Sequence, residues 1–250
     1  MKVINKMNNK MLVMAICITT MLCVTLFGTL AYLTDTSGVT NVFTLGKVDI
    51  SLTESPVDEN GKIKVDQNGD PIVDSDGKPV RTQGNQYKLI PGAVYDKDPT
   101  LTIIKDSEES YVRMIVKVYN ASEMQKILDN QKNGLTNNGF LGMLGELNTA
   151  DWVLVSNQPA VKDNIMSFEF RYKEKVKGEE ADKNLPPLFK KLIIPGALNA
   201  DEINALYNGN PKFQIVVEGH AIQALGFDTV DEAWAAFDDQ YAAENAIPTP

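Results

Sequence analysis

The chemistry open to this chain is narrow: its 250 residues hold one histidine, His220, and two cysteines, Cys17 and Cys23, both inside an apolar N-terminal run. A zinc protease of the two-histidine type needs a second imidazole, and a Ser-His or Cys-His pair needs a nucleophile poised beside the first. No Gly-x-Ser-x-Gly elbow supplies one. His220 itself lies in an alternating stretch, Phe213 to Ile222, out of phase with Phe213, Ile215 and Val217, and reads as a solvent-facing or second-face strand residue. The 33 acidic residues are scattered through polar loops without informative spacing. Asp66-Gln-Asn68-Gly-Asp70 places oxygen donors at alternate positions, as a calcium loop begins. Pro71 then stands where such a loop needs glycine, and no glutamate closes it. The residues therefore assign no catalytic, cofactor-binding or metal-ligating position, and no cofactor.

The most directive segment is the N-terminus. Lys2, Lys6 and Lys10 precede an uncharged apolar run, Met11 to Leu33, and Thr29 and Ala31 place small residues before a junction between Ala31 and Tyr32. That order is a signal peptide cut after Ala31. A retained membrane helix is the alternative, since about 20 apolar residues also span a bilayer. Asp35 follows the run in place of a polybasic stop signal. Removing residues 1 to 31 takes three lysines and no acid from a net charge of −9, leaving −12 over 219 residues. That acidic remainder argues against nucleic acid as a partner and limits membrane attachment to an uncleaved leader. Both cysteines leave with the leader, so no disulfide staples the exported chain, which must stand on its core. A secreted or cell-surface location, in a Gram-positive bacterium that exports without an oxidising compartment, fits this usage.

The elements that would position any site are mainly strands. Val48, Ile50 and Leu52 alternate with polar neighbours within Asn41 to Glu54. Three units of eight residues follow, Val57-Asp-Glu-Asn-Gly61, Val65-Asp-Gln-Asn-Gly69 and Val73-Asp-Ser-Asp-Gly77, and their Asn-Gly and Asp-Gly pairs predict a polar hairpin or irregular insertion over 55–85. Thr100 to Lys105 and Tyr111 to Tyr119 read as a hairpin, with Arg113 and Lys117 on its wet face. Ser122-Glu-Met-Gln125 matches a capping box and predicts a helix over 123–133. Trp152 to Ser156, Met166 to Lys173, Leu188 to Ile194 and Phe213 to Ile222 read as further strands, with Trp152, Phe168, Phe170, Tyr172 and Phe213 as core or cross-strand aromatics. Asn199-Ala-Asp-Glu202 and Thr229-Val-Asp-Glu232 open two short helices.

Antiparallel strands with helices confined to loops predict a mainly β, jelly-roll-like sandwich with short helical insertions, preceded by an N-terminal signal helix. The expected organisation is a signal peptide over 1–31, an extended segment over 32–45, one β domain over 46–240 with the insertion at 55–85, and a tail over 241–250.

Thr29-Leu-Ala-Tyr-Leu-Thr-Asp35, continuing through Asn41-Val-Phe-Thr-Leu-Gly-Lys-Val-Asp-Ile50, resembles exported proteins of the TasA and camelysin family, processed by a SipW-type signal peptidase. Lys88-Leu-Ile-Pro-Gly92, Ser110-Tyr-Val-Arg-Met114, Ala221-Ile-Gln-Ala-Leu-Gly-Phe227 and Glu232-Ala-Trp234 extend the resemblance, which covers about a third of the chain and mostly its two ends. It implies a jelly-roll subunit of biofilm-matrix or cell-surface fibres whose freed N-terminal segment adds as a strand to the next copy, with an accessory matrix protein as a further partner. Tyr32, Leu33, Val39, Val42, Phe43 and Leu45 are the candidate donor-strand anchors. Two alternatives stay open: a camelysin-like cell-surface metallo-endopeptidase, and an adhesin that never polymerises.

Overall fold

The computed structural model describes residues 34–37, 48–129, 139–155 and 160–245. Its strands are β1 (Thr34–Ser37), β2 (Ile50–Thr53), β3 (Val94–Asp96), β4 (Thr100–Ile103), β5 (Ser110–Tyr119), β6 (Leu144–Gly145), β7 (Trp152–Leu154), β8 (Ala160–Lys162), β9 (Ile165–Tyr172), β10 (Lys183–Asn184), β11 (Lys191–Ile193) and β12 (Gln214–Gln223). Three α-helices join them, α1 (Ala121–Asp129), α2 (Ala200–Asn208) and α3 (Val230–Asn245). The protein is mainly β, with antiparallel sheets and a few short helices. None of the described helices is long and apolar enough to cross a membrane.

Strict alternation in β5 puts Val112, Met114, Val116 and Val118 on one buried face, and β12 and β9 pair with it on either side through long antiparallel ladders. The large sheet runs β1-β12-β5-β9-β7, with β8 also paired to β9. Two three-stranded sheets, β10-β4-β2 and β3-β11-β6, complete the β structure. Leu101 and Ile103 from one, Tyr95 and Leu192 from the other, and Phe168 and Phe170 from the large sheet all join a single core. Burying each of these side chains contributes about 1.5 to 3 kcal/mol before ordering costs. Gly219 of β12 lies close under β4, and a Cβ there would stand 3.0 Å from Leu101 Cδ1.

Several local readings hold. Asn199 and Glu202 form a reciprocal capping box on α2, and the Thr229 hydroxyl accepts from the Glu232 N–H at the start of α3. The expected aromatic packing is present, with Trp152 buried edge-on against Tyr172 at 5.1 Å. α3 runs on through Asn245, into the stretch read from sequence as a tail.

Three readings need correction. β4 and β5 are consecutive but do not pair: β4 lies between β2 and β10, while β5 lies between β12 and β9. The connection crosses between sheets instead of folding back, anchored where Ser107 Oγ both donates to the Asp49 carbonyl and accepts from the Asp49 N–H. Alternation reports which face a side chain takes, not which strand lies beside it. α1 begins at Ala121, and its Ser122 N–H donates to the Asn164 side chain, so the cap comes from a neighbouring turn instead of from Ser122. Arg113, expected on a wet face, is buried beneath α3.

The insertion at 55–85 becomes three successive tight turns closed by the bridges Val57–Ile63, Val65–Pro71 and Val73–Pro79. In each, the leading aspartate (Asp58, Asp66, Asp74) accepts from two N–H groups of its own turn, and the glycine has positive φ. At Gly61 the requirement is double, since φ is +69° and a Cβ would fall 2.3 Å from the Tyr95 ring. The base is clamped by Arg81, which donates to Ser55 Oγ (3.0 Å), Asp98 Oδ2 (2.8 Å), the Thr53 carbonyl (3.0 Å) and the Asp98 carbonyl (3.1 Å). Arg81→Ala removes these four hydrogen bonds at once, although Ser55 and Thr100 still donate to Asp98, and is expected to lower stability by about 2 kcal/mol, less than a fully buried site would lose because the side chain is partly wet. Faster tryptic cutting at Lys62 and Lys64 should accompany the loss. Unchanged cutting and an unchanged urea midpoint would show that the clamp does not hold the insertion.

Candidate functional site

The feature best suited to function is the side of β12 that faces away from β5. One side of that strand is filled along its whole length by β5, from Gln214–Tyr119 to Gln223–Ser110. On the other side, among the described residues, β1 pairs with Gly219 to Ile222, with Thr34 opposite Ile222, Asp35 opposite Ala221, Thr36 opposite His220 and Ser37 opposite Gly219. Among the described residues, no strand pairs with that side of Gln214 to Glu218.

Beside Gln214 to Glu218 lies a groove of about 830 Å³ whose apolar lining includes Leu52, Leu89, Leu192, Ile203, Ile215 and Val217. Alternation along β12 aims Ile215 and Val217 into it, because they share the core face with Ala221. A polar rim completes the groove. Lys97 pairs with Glu54, whose other oxygen accepts from Asn85, and Tyr87 donates to the Asp96 carbonyl at 2.9 Å. Burial, reinforced by the Glu54 charge, pushes the Tyr87 phenol well above its usual range, so it stays a neutral donor. An open strand edge next to an apolar trough can take an extended peptide, with main-chain hydrogen bonds for affinity and alternate side chains for fit.

Residues 32–45 contribute to this arrangement through Thr34–Ser37, the part of the expected donor segment that pairs with β12 of its own chain. Ala31 and Tyr32 at the expected cleavage junction lie outside the described residues, as do the anchors Leu33, Val39, Val42, Phe43 and Leu45.

On the opposite face of the large sheet, α3 covers a second cluster. Ile222, Ala233, Trp234 and Phe237 form its apolar centre. Arg113 lies with its guanidinium 4.3 Å from the Trp234 ring centre and 4.9 Å from that of Phe237, donates from Nε to His220 Nδ1 at 3.2 Å, and grips Asp238 with its terminal nitrogens. His220 is 5% exposed and stacks on Phe237 at 4.8 Å. Burial, followed by the charges of Arg113 and Lys117, lowers its pKa from 6.5 to about 3, so the ring is neutral across the physiological range. Its Nδ1 lone pair is engaged by Arg113, and Nε2 lies 3.8 Å from a single carboxylate, Glu218. Among the described residues, no group of three or more His, Cys, Asp or Glu is placed to hold a metal ion. Sequence reasoning placed His220 on the second face and missed its burial. The available signal was Trp234 and Phe237, three residues apart on a capped helix next in the chain.

Comparison with family models, with curated proteins and with solved structures finds no match. The site must therefore be read from its own geometry. The calcium alternative at 66–70 meets a chemical obstacle there: Asp66 Oδ1 accepts from the Asn68 and Asp70 N–H groups, and its Oδ2 from the Asn68 amide. The Asp70 and Asn68 backbone bonds hold the Asp66 carboxyl below its usual range, as an Asx turn does without any cation.

Proposed function

We propose that this chain is an exported structural subunit of cell-surface or biofilm-matrix fibres, a jelly-roll-like sandwich of the TasA and camelysin type that assembles non-covalently through its N-terminal segment. A SipW-type peptidase frees that segment by cutting after Ala31. The observation that carries this reading is the four-residue pairing of β1 at the edge of the large sheet, beside an apolar groove.

Energetics support exchange. A ladder over four residues offers a few hydrogen bonds, each contributing about 0.5 to 1.5 kcal/mol net, so self-pairing of β1 is weak enough to give way. Self-pairing also has the advantage of being intramolecular, equivalent to a partner at roughly millimolar concentration. A donor from the next subunit displaces it where the local concentration of subunits exceeds that figure. Carrying the β1 register onward sets Val39 of the donor opposite Val217 and Phe43 opposite Phe213, on the groove face, with Val42 on the other face.

The test is a cysteine pair at Asp35→Cys and Ala221→Cys, register partners in a chain whose own cysteines both lie in the leader. Oxidised as a monomer, the leader-free protein closes an internal disulfide, and it is expected to make no filaments until reduced. Oxidised after assembly, it is expected to run as a ladder of covalent multimers. Filaments yielding only internally bridged monomers would show that β1 is not exchanged.

A further inference from the structure

The seat of α3 combines groups that are poorly suited to permanent burial. Trp234 is buried and its indole N–H finds no hydrogen-bond acceptor. Arg113, with a side chain 4% exposed, shares its charge with Asp238, whose side chain is 58% exposed. A second charged tie of the helix, Asp231 to Arg171, joins an 83% exposed carboxylate to the sheet. Beneath them lies a lone imidazole that serves as an acceptor only while neutral.

We propose that α3 is a proton-sensitive strap: it closes over the outer face of β5 and β12 while His220 is neutral and lifts from that face, without unfolding the sheet, when His220 takes up a proton. The geometry gives the cause. A proton on Nδ1 removes the acceptor for Arg113 Nε and sets an imidazolium against a guanidinium at 3.2 Å. The groups facing His220 favour the neutral ring on balance. β5 presents Arg113 and Lys117, and α3 presents the Phe237 and Tyr241 rings beside Asp238, which is bound to Arg113. β12 itself presents Glu218, which is shared with Lys117, and β9 presents Glu169 and Arg171 at the margin. β1 sets Thr36, which is uncharged, opposite His220.

The direction of the pH effect follows from which state binds the proton. The closed state holds His220 far below its ordinary pKa and the open state releases it to water, so acid favours opening. An open-state pKa near 6.5 makes the opening equilibrium rise about thirtyfold between pH 8 and pH 5. That window stays above the range in which carboxyl groups ordinarily gain protons.

Residue-resolved hydrogen exchange on the purified protein, corrected for intrinsic rates, tests this. Protection of α3 amides is expected to fall about thirtyfold from pH 8 to pH 5, while the central β5 amides keep theirs. His220→Gln keeps an acceptor near Arg113 and cannot titrate, so its α3 protection should not change with pH. Three results would each overturn the strap: pH-independent protection of α3 in the wild type, an equal fall in β5, or the same fall in the glutamine variant. Should that variant not fold, the wild-type comparison of α3 with β5 still decides.

Discussion

A leader-free chain from which Tyr32 to Thr44 has been deleted is expected to remain a folded monomer and to form no filaments under conditions in which the chain beginning at Tyr32 forms them. The fold should survive because β12 is held by β5 over its whole length, whereas β1 adds four residues at the edge. Losing that edge strand costs only a few hydrogen bonds, about 0.5 to 1.5 kcal/mol each. Assembly should fail completely, because the donor carries every anchor from Tyr32 to Phe43. The deleted chain keeps its groove, so mixed with intact subunits it should cap growing ends and shorten filaments in proportion to its share. Circular dichroism and electron microscopy read the two halves of the expectation separately. Filaments formed equally by the deleted chain would defeat strand donation, and a deleted chain that unfolds would show β1 to be part of the core.

Arg113→Ala is expected to cost about 3 kcal/mol in urea unfolding, among the largest effects for a residue outside the central core. The substitution opens a cavity under α3, removes the stacked guanidinium from Trp234 and Phe237, and strips Glu169 and Asp238 of a shared partner. Asp238→Asn should cost well under 1 kcal/mol, because its carboxylate is largely in water and exposed pairs contribute little. The contrast is the informative part. Equal losses in the two variants would place the stabilisation in the ion pair, and a loss confined to Arg113 would place it in burial and stacking.

Much of the local structure was legible in the residues. The alternation of Val112, Met114, Val116 and Val118 placed the core face of β5, and Phe213, Ile215, Val217 and Ala221 placed that of β12. The Asn-Gly and Asp-Gly pairs marked the three turns, and the Asn199/Glu202 and Thr229/Glu232 pairs marked two helix starts. These signals are local, so they survive whatever the rest of the chain does. The candidate site was legible only in outline. The proposed donor segment rests on the leader and the resemblance, while the groove draws on residues as far apart as Leu52, Leu192 and Val217, which no window of sequence brings together.

Sequence by itself determined where the longer strands, the three tight turns and the starts of α2 and α3 lie, because backbone preference and side-chain period act over a few residues. Tertiary structure alone decided that β4 and β5 part to different sheets, that β1 closes against β12, and that α3 converts the polar face around Arg113 and His220 into a buried one. Those outcomes turn on which surfaces meet. An alternating strand presents two faces and two open edges, and only contact with distant segments settles what covers each of them.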